Sequence, residues 1–129
     1  MDITNLLTKD IIKKTWGIEY WVENNEKYCC KVLVVFRGKW NSEGLFHKHL
    51  RKDETFLVIE GELILDLGGI EYRVLKPFDS YRVLPGKPHR FTALTDKCVF
   101  IEASTHHDEE DSIRGDLKEL MDGNKETEN

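Results

Sequence analysis

The sequence has no apolar run long enough to cross a bilayer, no concentrated basic face and no paired-cysteine framework. Its longest apolar run, VLVVF at residues 32–36, falls far short of the ~20 apolar residues that a spanning helix needs. The opening MDITNLLTKD interrupts any apolar stretch with charge, so no signal peptide is expected there. Cysteine is scarce: Cys29, Cys30 and Cys98 contain no CxxC pair, and the first two would face opposite ways in a strand. An odd, unframed set suits a reducing compartment, which points to a soluble cytoplasmic protein. Basic excess is also missing. The formal charge is −5, and residues 106–129 hold nine acids against Arg114, Lys118 and Lys125, so the body is close to neutral. Nucleic-acid binding needs a basic face that this chain lacks.

What is present is enough for one domain. A chain of 129 residues with 40% hydrophobic content can bury a single core. The middle consists of short runs rich in β-branched and aromatic residues: YCCKVLVVF (28–36), a segment near GLFHKHL (44–50), ETFLVIE (54–60), ELILDL (62–67), IEYRVL (70–75), SYRVL (80–84), HRFTAL (89–94) and CVFIEAS (98–104). Between them lie RGKWNSEG, LRKD, EG, GG, KPFD, PGKP and TD, which are turn chemistry. Strands recurring at this spacing predict an all-β sandwich or small barrel. Helix is expected only at the ends, near TKDIIKKT (8–15) and GDLKELM (115–121). The domain is expected to span residues 1–114, with 115–129 as a solvated, flexible acidic tail.

One stretch carries chemistry. In FHKHLRKDETFLVIEG (46–61), His47 and His49 are two apart and so share one face of a strand. Glu54 heads the next strand, where a tight reversal would return its carboxylate toward the imidazoles. Two neutral imidazoles and a carboxylate suit a divalent ion such as iron, manganese, nickel, cobalt or zinc. Read without that idea, the same residues are a wet hairpin with Glu54 paired to Arg51 or Lys52. Downstream, LPGKPHRF (84–91) places His89 after a rigid Pro-Gly-x-Pro turn, which could supply a further ligand from a distant strand.

These residues resemble the two cupin motifs. His47, His49, Glu54 and Gly61 match the first, G-x5-HxH-x4-E-x6-G, and Gly86 and His89 match the second, G-x5-PxG-x2-H-x3-N. Asn41 stands where the first motif opens with glycine; Phe78, Leu84 and Ala93 replace the glycine, proline and asparagine of the second. The flanks, KKTWGIEYW (13–21) and IEASTHHDEEDSIR (101–114), are similar to the cupin domain of type II mannose-6-phosphate isomerases, in which glutamine is common at the position of His47. The resemblance implies an all-β cupin barrel (a double-stranded β-helix) with short terminal helices. It implies one divalent metal held by His47, His49, Glu54 and His89, and a homodimer. The implied activity is aldose–ketose isomerisation of a sugar or sugar phosphate. Two other activities fit a cupin: iron-dependent dioxygen chemistry, and a module that binds a sugar without catalysis.

The remaining residues divide less sharply. Glu102, the only carboxylate in the apolar strand CVFIEA, is the candidate catalytic base, and a salt bridge to Arg82 or Arg90 is its structural alternative. Lys31 carries the same ambiguity. Trp16, Tyr20 and Trp21 either cover an open barrel end or stack on a sugar. Arg90 and Arg114 could hold a phosphate, and His106 and His107 read as surface residues.

Overall fold

The computed structural model describes residues 10–68 and 71–127. Eleven strands run in the order β1 (Ile11–Lys13), β2 (Gly17–Asn24), β3 (Cys29–Phe36), β4 (Phe46–His49), β5 (Glu54–Glu60), β6 (Leu63–Asp66), β7 (Tyr72–Leu75), β8 (Ser80–Val83), β9 (Arg90–Ala93), β10 (Lys97–Ser104) and β11 (Ser112–Gly115). One helix, α1 (Leu117–Thr127), follows. No helix among the described residues is long and apolar enough to cross a membrane.

Six strands form one sheet in the order β1-β2-β3-β10-β5-β8, while β7-β6-β9 and β11-β4 pair separately. His47 and His89 join the last two groups, exchanging both backbone hydrogen bonds at 3.0 and 2.9 Å. The core draws on both sides: Leu33, Val35, Phe56, Val58, Val83, Cys98 and Phe100 from the large sheet meet Leu63, Leu65, Leu75, Phe91 and Ala93 from the other. Phe56, Phe91 and Phe100 pack edge to face with centroids 5.1–6.0 Å apart, the arrangement aromatic rings prefer.

The inward faces of the large sheet follow the period of two, and they change character along their length. On β3 the buried residues run Val35, Leu33, Lys31, Cys29, and on β10 they run Cys98, Phe100, Glu102. In the antiparallel register Val35 opposes Cys98, Leu33 opposes Phe100 and Lys31 opposes Glu102. One end of the barrel is therefore apolar and closed, and the other buries charge.

One expectation, at the start of the chain, is corrected. Within TKDIIKKT the described residues include the strand Ile11–Lys13, whose Ile11, Ile12 and Lys13 pair with Tyr20, Glu19 and Ile18. A pair of β-branched residues beside an unsatisfied sheet edge favours the ladder over a helix. The partner strand β2 went unassigned from sequence, although Ile18, Tyr20 and Val22 alternate with Glu19, Trp21 and Glu23. At the other end α1 forms where helix was expected, but its first turns are seated on the barrel. Leu120 is 3% exposed, and its carbonyl accepts from the buried Lys48 Nζ at 2.8 Å. Lys48 lies between His47 and His49 on the opposite face of β4, so α1 backs the strand that carries those histidines.

Turns set the direction of the site. Pro85 and the left-handed Gly86 (φ +82°) sit in a β-turn closed by Lys87 N–H to Leu84 O at 3.2 Å. Gly86 N–H also donates to His49 O at 2.6 Å, which ties this turn to β4. Phe78, in the place of the second motif's glycine, keeps a left-handed φ of +70° and is 78% exposed. Gly61 is more constrained: at φ +78° a Cβ would collide with Lys97 O and approach Thr95 Oγ1 to 2.6 Å. Gly61→Ala is expected to lower unfolding free energy by about 2 kcal/mol or more. An unchanged urea midpoint would show that the β5–β6 turn relaxes instead.

Candidate metal centre

Four side chains meet at the charged end of the barrel. His47 and His49 come from β4, Glu54 from the start of β5, and His89 from just before β9. Ligand nitrogens of His47, His49 and His89 all lie within 4.8 Å of one another, and all three residues are buried. Glu54 sits at the edge of this group, with Oε2 2.9 Å from His49 Nε2 and 3.7 Å from His89 Nε2. These contacts are close but are not aligned as hydrogen bonds. Glu54 Oε2 and His89 Nε2 are buried with no hydrogen-bond partner among the described residues. Orphaned buried polar atoms destabilise a fold unless something binds them. Two such atoms, one a carboxylate oxygen and one an imidazole nitrogen, are the donor set of a divalent ion. The residues fit a metal.

Each imidazole is held from behind at Nδ1. His89 Nδ1 lies 2.8 Å from Lys87 O, His49 Nδ1 lies 3.0 Å from Ser112 Oγ, and His47 Nδ1 lies 3.2 Å from Asn41 Nδ2. Such contacts orient the rings. Burial, followed by the neighbouring His89 and His49, pushes the His47 pKa well below the ordinary imidazole value. Burial also lowers His89, with Glu54 opposing it. The Glu54 carboxyl is raised by burial, but His49, His89 and Lys52 outweigh that and hold it below the usual carboxylate range. These shifts favour neutral His47 and His89 rings beside an ionised Glu54 carboxylate.

The cluster opens into a cavity of about 660 Å³ whose lining includes Trp16, Lys31, Lys52, Glu102, His107 and Arg114. Glu102 faces it, and its ion pair is with neither Arg82 nor Arg90. Arg82 binds Asp53 at 2.6 Å and Arg90 binds Asp66 at 2.9 Å, whereas Glu102 Oε2 accepts from Lys52 Nζ at 2.8 Å. Lys52 is only 2% exposed. Burial lowers its pKa, yet Glu102 and Glu54 more than offset this, so the pKa is raised and the ammonium is retained.

Other sequence readings change in three dimensions. His106 is exposed, but His107 is buried and lines the cavity, with Nδ1 3.0 Å from Lys52 Nζ and Nε2 2.8 Å from Glu109 Oε1. Arg90 is already engaged, donating to Asp66 and Gly44 O and lying over Trp40 and Phe46 at 4.4 and 4.5 Å. Arg114 does line the cavity, 3.3 Å from Ser42 Oγ. Trp16 packs into the core against Phe91, and Trp21 lies under Lys31 Nζ at 3.9 Å and edge-on to His107. Ser112 carries no signal in the sequence, Lys52 enters there only as a surface partner for Glu54, and Asn41 only as a departure from the first cupin motif. Asp111, read as part of the acidic end, is buried and accepts the Arg51 and Lys52 N–H groups at 2.9 and 3.0 Å, which pins the turn between His49 and Glu54.

A two-sheet all-β barrel with a buried histidine group at its open end defines a double-stranded β-helix able to hold a metal ion. Residues 32–103 match the cupin domain family (Cupin_2), and the chain belongs to that family. It is 41% identical over 61 residues to the uncharacterized protein YdbB of Bacillus subtilis strain 168. That match covers 47% of this chain and 50% of YdbB, so the chain spans about half the length of this curated relative. Among solved structures, a double-stranded β-helix protein of Klebsiella pneumoniae superposes with a TM-score of 0.69 at 17% identity, covering 85% of this chain and 94% of that one. The Fe(II) form of HppE superposes with a TM-score of 0.62 at 20% identity, covering 73% of this chain and 55% of that one.

Proposed function

We propose that this cupin is a metal-dependent isomerase that interconverts an aldose and a ketose, acting on a sugar or sugar phosphate. The observation that carries the reading is the buried Glu102–Lys52 pair, which lines the same cavity as Glu54 with its orphaned Oε2. Supporting it are a cavity size suited to a small polar ligand and the similarity of both flanks to the cupin domain of type II mannose-6-phosphate isomerases. The same resemblance supports a homodimer, while the cysteine usage, the near-neutral body and the short apolar runs support a cytoplasmic protein without nucleic acid or membrane partners.

One divalent ion would be held at the His47–His49–Glu54–His89 cluster, where it would supply Lewis-acid polarisation of the substrate carbonyl. Glu102 takes the proton from the carbon next to that carbonyl. Its Oε2 is occupied by Lys52, which leaves Oε1 for the substrate. The same carboxyl then returns the proton to the former carbonyl carbon while the hydroxyl proton changes oxygen, so no external oxidant or reductant is consumed. Lys31, Lys52 and Arg114 on the cavity wall supply positive charge for an anionic substituent.

The test is proton exchange. Candidate aldoses, ketoses and their phosphates are incubated with metal-loaded protein in heavy water, and the proton beside the carbonyl is followed by NMR. Wild type is expected to exchange it, and Glu102→Gln to slow exchange by roughly a hundredfold or more. A sugar that binds tightly without exchanging would leave a binding module in place of an isomerase. Equal rates for wild type and Glu102→Gln would remove Glu102 as the base. The histidine and carboxylate donors also suit iron-based dioxygen chemistry; oxygen uptake by iron-loaded protein with no sugar exchange would establish that alternative.

A further inference from the structure

The three imidazoles look equivalent in sequence, but the polarity of their Nδ1 contacts separates them. His89 Nδ1 lies 2.8 Å from the Lys87 carbonyl. A carbonyl only accepts, so Nδ1 carries the hydrogen, and in the neutral ring Nε2 is left with its lone pair. His49 Nδ1 faces the Ser112 hydroxyl at 3.0 Å, which donates or accepts as required. His47 differs. Its Nδ1 lies 3.2 Å from Asn41, and the orientation of that amide is decided from the other side. The Phe91 backbone N–H, which can only donate, reaches Asn41 Oδ1 at 2.7 Å. The end of Asn41 that meets His47 is therefore its NH2, another pure donor. An imidazolium there would set two donors face to face, and so would the Nδ1–H tautomer. What remains is a neutral ring with its lone pair on Nδ1 and its hydrogen on Nε2.

We propose that Asn41 is a positioning residue that makes His47 a hydrogen-bond donor into the cavity instead of a metal ligand. The protein ligands of the ion are then His49, Glu54 and His89. This rests on the metal-binding part of the reading above and narrows its ligand set by removing His47. A nitrogen that carries its hydrogen has no lone pair to give a cation, whereas Nε2–H can donate to an oxygen of a bound substrate. The device belongs to this chain. Asn41 occupies the place where the first cupin motif has glycine, which has no side chain with which to set a tautomer. Asn41 is 4% exposed, and it precedes a turn in which Ser42 and Glu43 hold left-handed backbone at φ +52° and +54°. The turn thus reaches His47 through one buried amide.

The experiment begins with metal-free, full-length protein labelled with 15N at histidine. Long-range 1H–15N correlation at mildly alkaline pH reports the tautomer of each ring. His47 is expected as Nε2–H and His89 as Nδ1–H; finding His47 as Nδ1–H overturns the proposal without reference to any metal. Manganese(II), nickel(II) and zinc(II) titrations follow. His47→Gln is expected to keep metal affinity within about threefold, whereas losing a true ligand such as His89 should cost more than the roughly 10–100-fold typical of outer groups. Asn41→Asp offers acceptors to both Phe91 N–H and His47 Nδ1–H. It should switch the His47 tautomer and raise metal affinity about tenfold. Equal losses for His47→Gln and His89→Ala overturn the assignment of ligands. Wild-type protein that binds none of the three ions would sink the metal reading, while the tautomer measurement would still decide what Asn41 does.

Discussion

Adding a divalent ion to the metal-free protein is expected to raise its thermal midpoint by roughly 10 °C, and His89→Ala is expected to abolish that response. The native fold buries Glu54 Oε2 and His89 Nε2 without partners, so the metal-free state carries a standing penalty that an ion relieves. Ligand that binds only the folded state stabilises it by mass action, by about 2.7 kcal/mol when free ion is a hundred times the dissociation constant. For a chain of this size that corresponds to several degrees or more. His89 is 0% exposed and is held at Nδ1 by Lys87 O, so no neighbouring side chain can take over its Nε2. Elemental analysis should give close to one ion per wild-type chain and almost none for the variant. An equal midpoint rise in both proteins would show that the ion binds elsewhere, with the exposed acidic groups as the first suspects.

Lys52→Ala is expected to destabilise the fold by about 3–5 kcal/mol, the typical result of breaking a buried ion pair from one side. Lys52 is 2% exposed, and its Nζ donates to Glu102 at 2.8 Å while contacting His107 Nδ1 at 3.0 Å. Truncation leaves the buried Glu102 carboxylate without its ion-pair partner. Replacing both members, Lys52→Met with Glu102→Gln, removes the charge and the debt together and should cost much less. Urea unfolding of the two single variants and the double variant gives the coupling. A loss below about 1 kcal/mol for Lys52→Ala would mean that water reaches the pair and screens it. The pH dependence has a definite sign. Because the Lys52 pKa is raised in the folded state, its contribution is complete at neutral pH and is lost only as pH climbs through that raised value.

Local patterns made the strands legible. ETFLVIE predicts β5 at its observed bounds, Glu54–Glu60, because a period of two between turn residues needs no distant information. The same rule would have found β2, where Ile18, Tyr20 and Val22 alternate with Glu19, Trp21 and Glu23; the interspersed Glu19 and Glu23 masked it. At TKDIIKKT local composition was ambiguous, and pairing with β2 decided for strand over Ile11–Lys13. At the acidic end, charge suggested a solvated tail; Leu120 is buried there, and its carbonyl accepts from Lys48, 72 residues away in sequence.

The sequence by itself determined that the chain is all-β, because alternation and turn chemistry are properties of neighbouring residues. It also brought His47, His49 and Glu54 into one reading, because a short turn limits how far apart they can lie. Only the tertiary structure decided the partners: Lys52 for Glu102 across 50 positions, Asn41 Oδ1 for the Phe91 N–H across 50, and His107 for Lys52 across 55. Those contacts arise because β10, β4 and the chain after β10 converge at the open end of the barrel. Local spacing carries no record of that convergence, so which buried charge meets which donor was settled by the closing of the sheets.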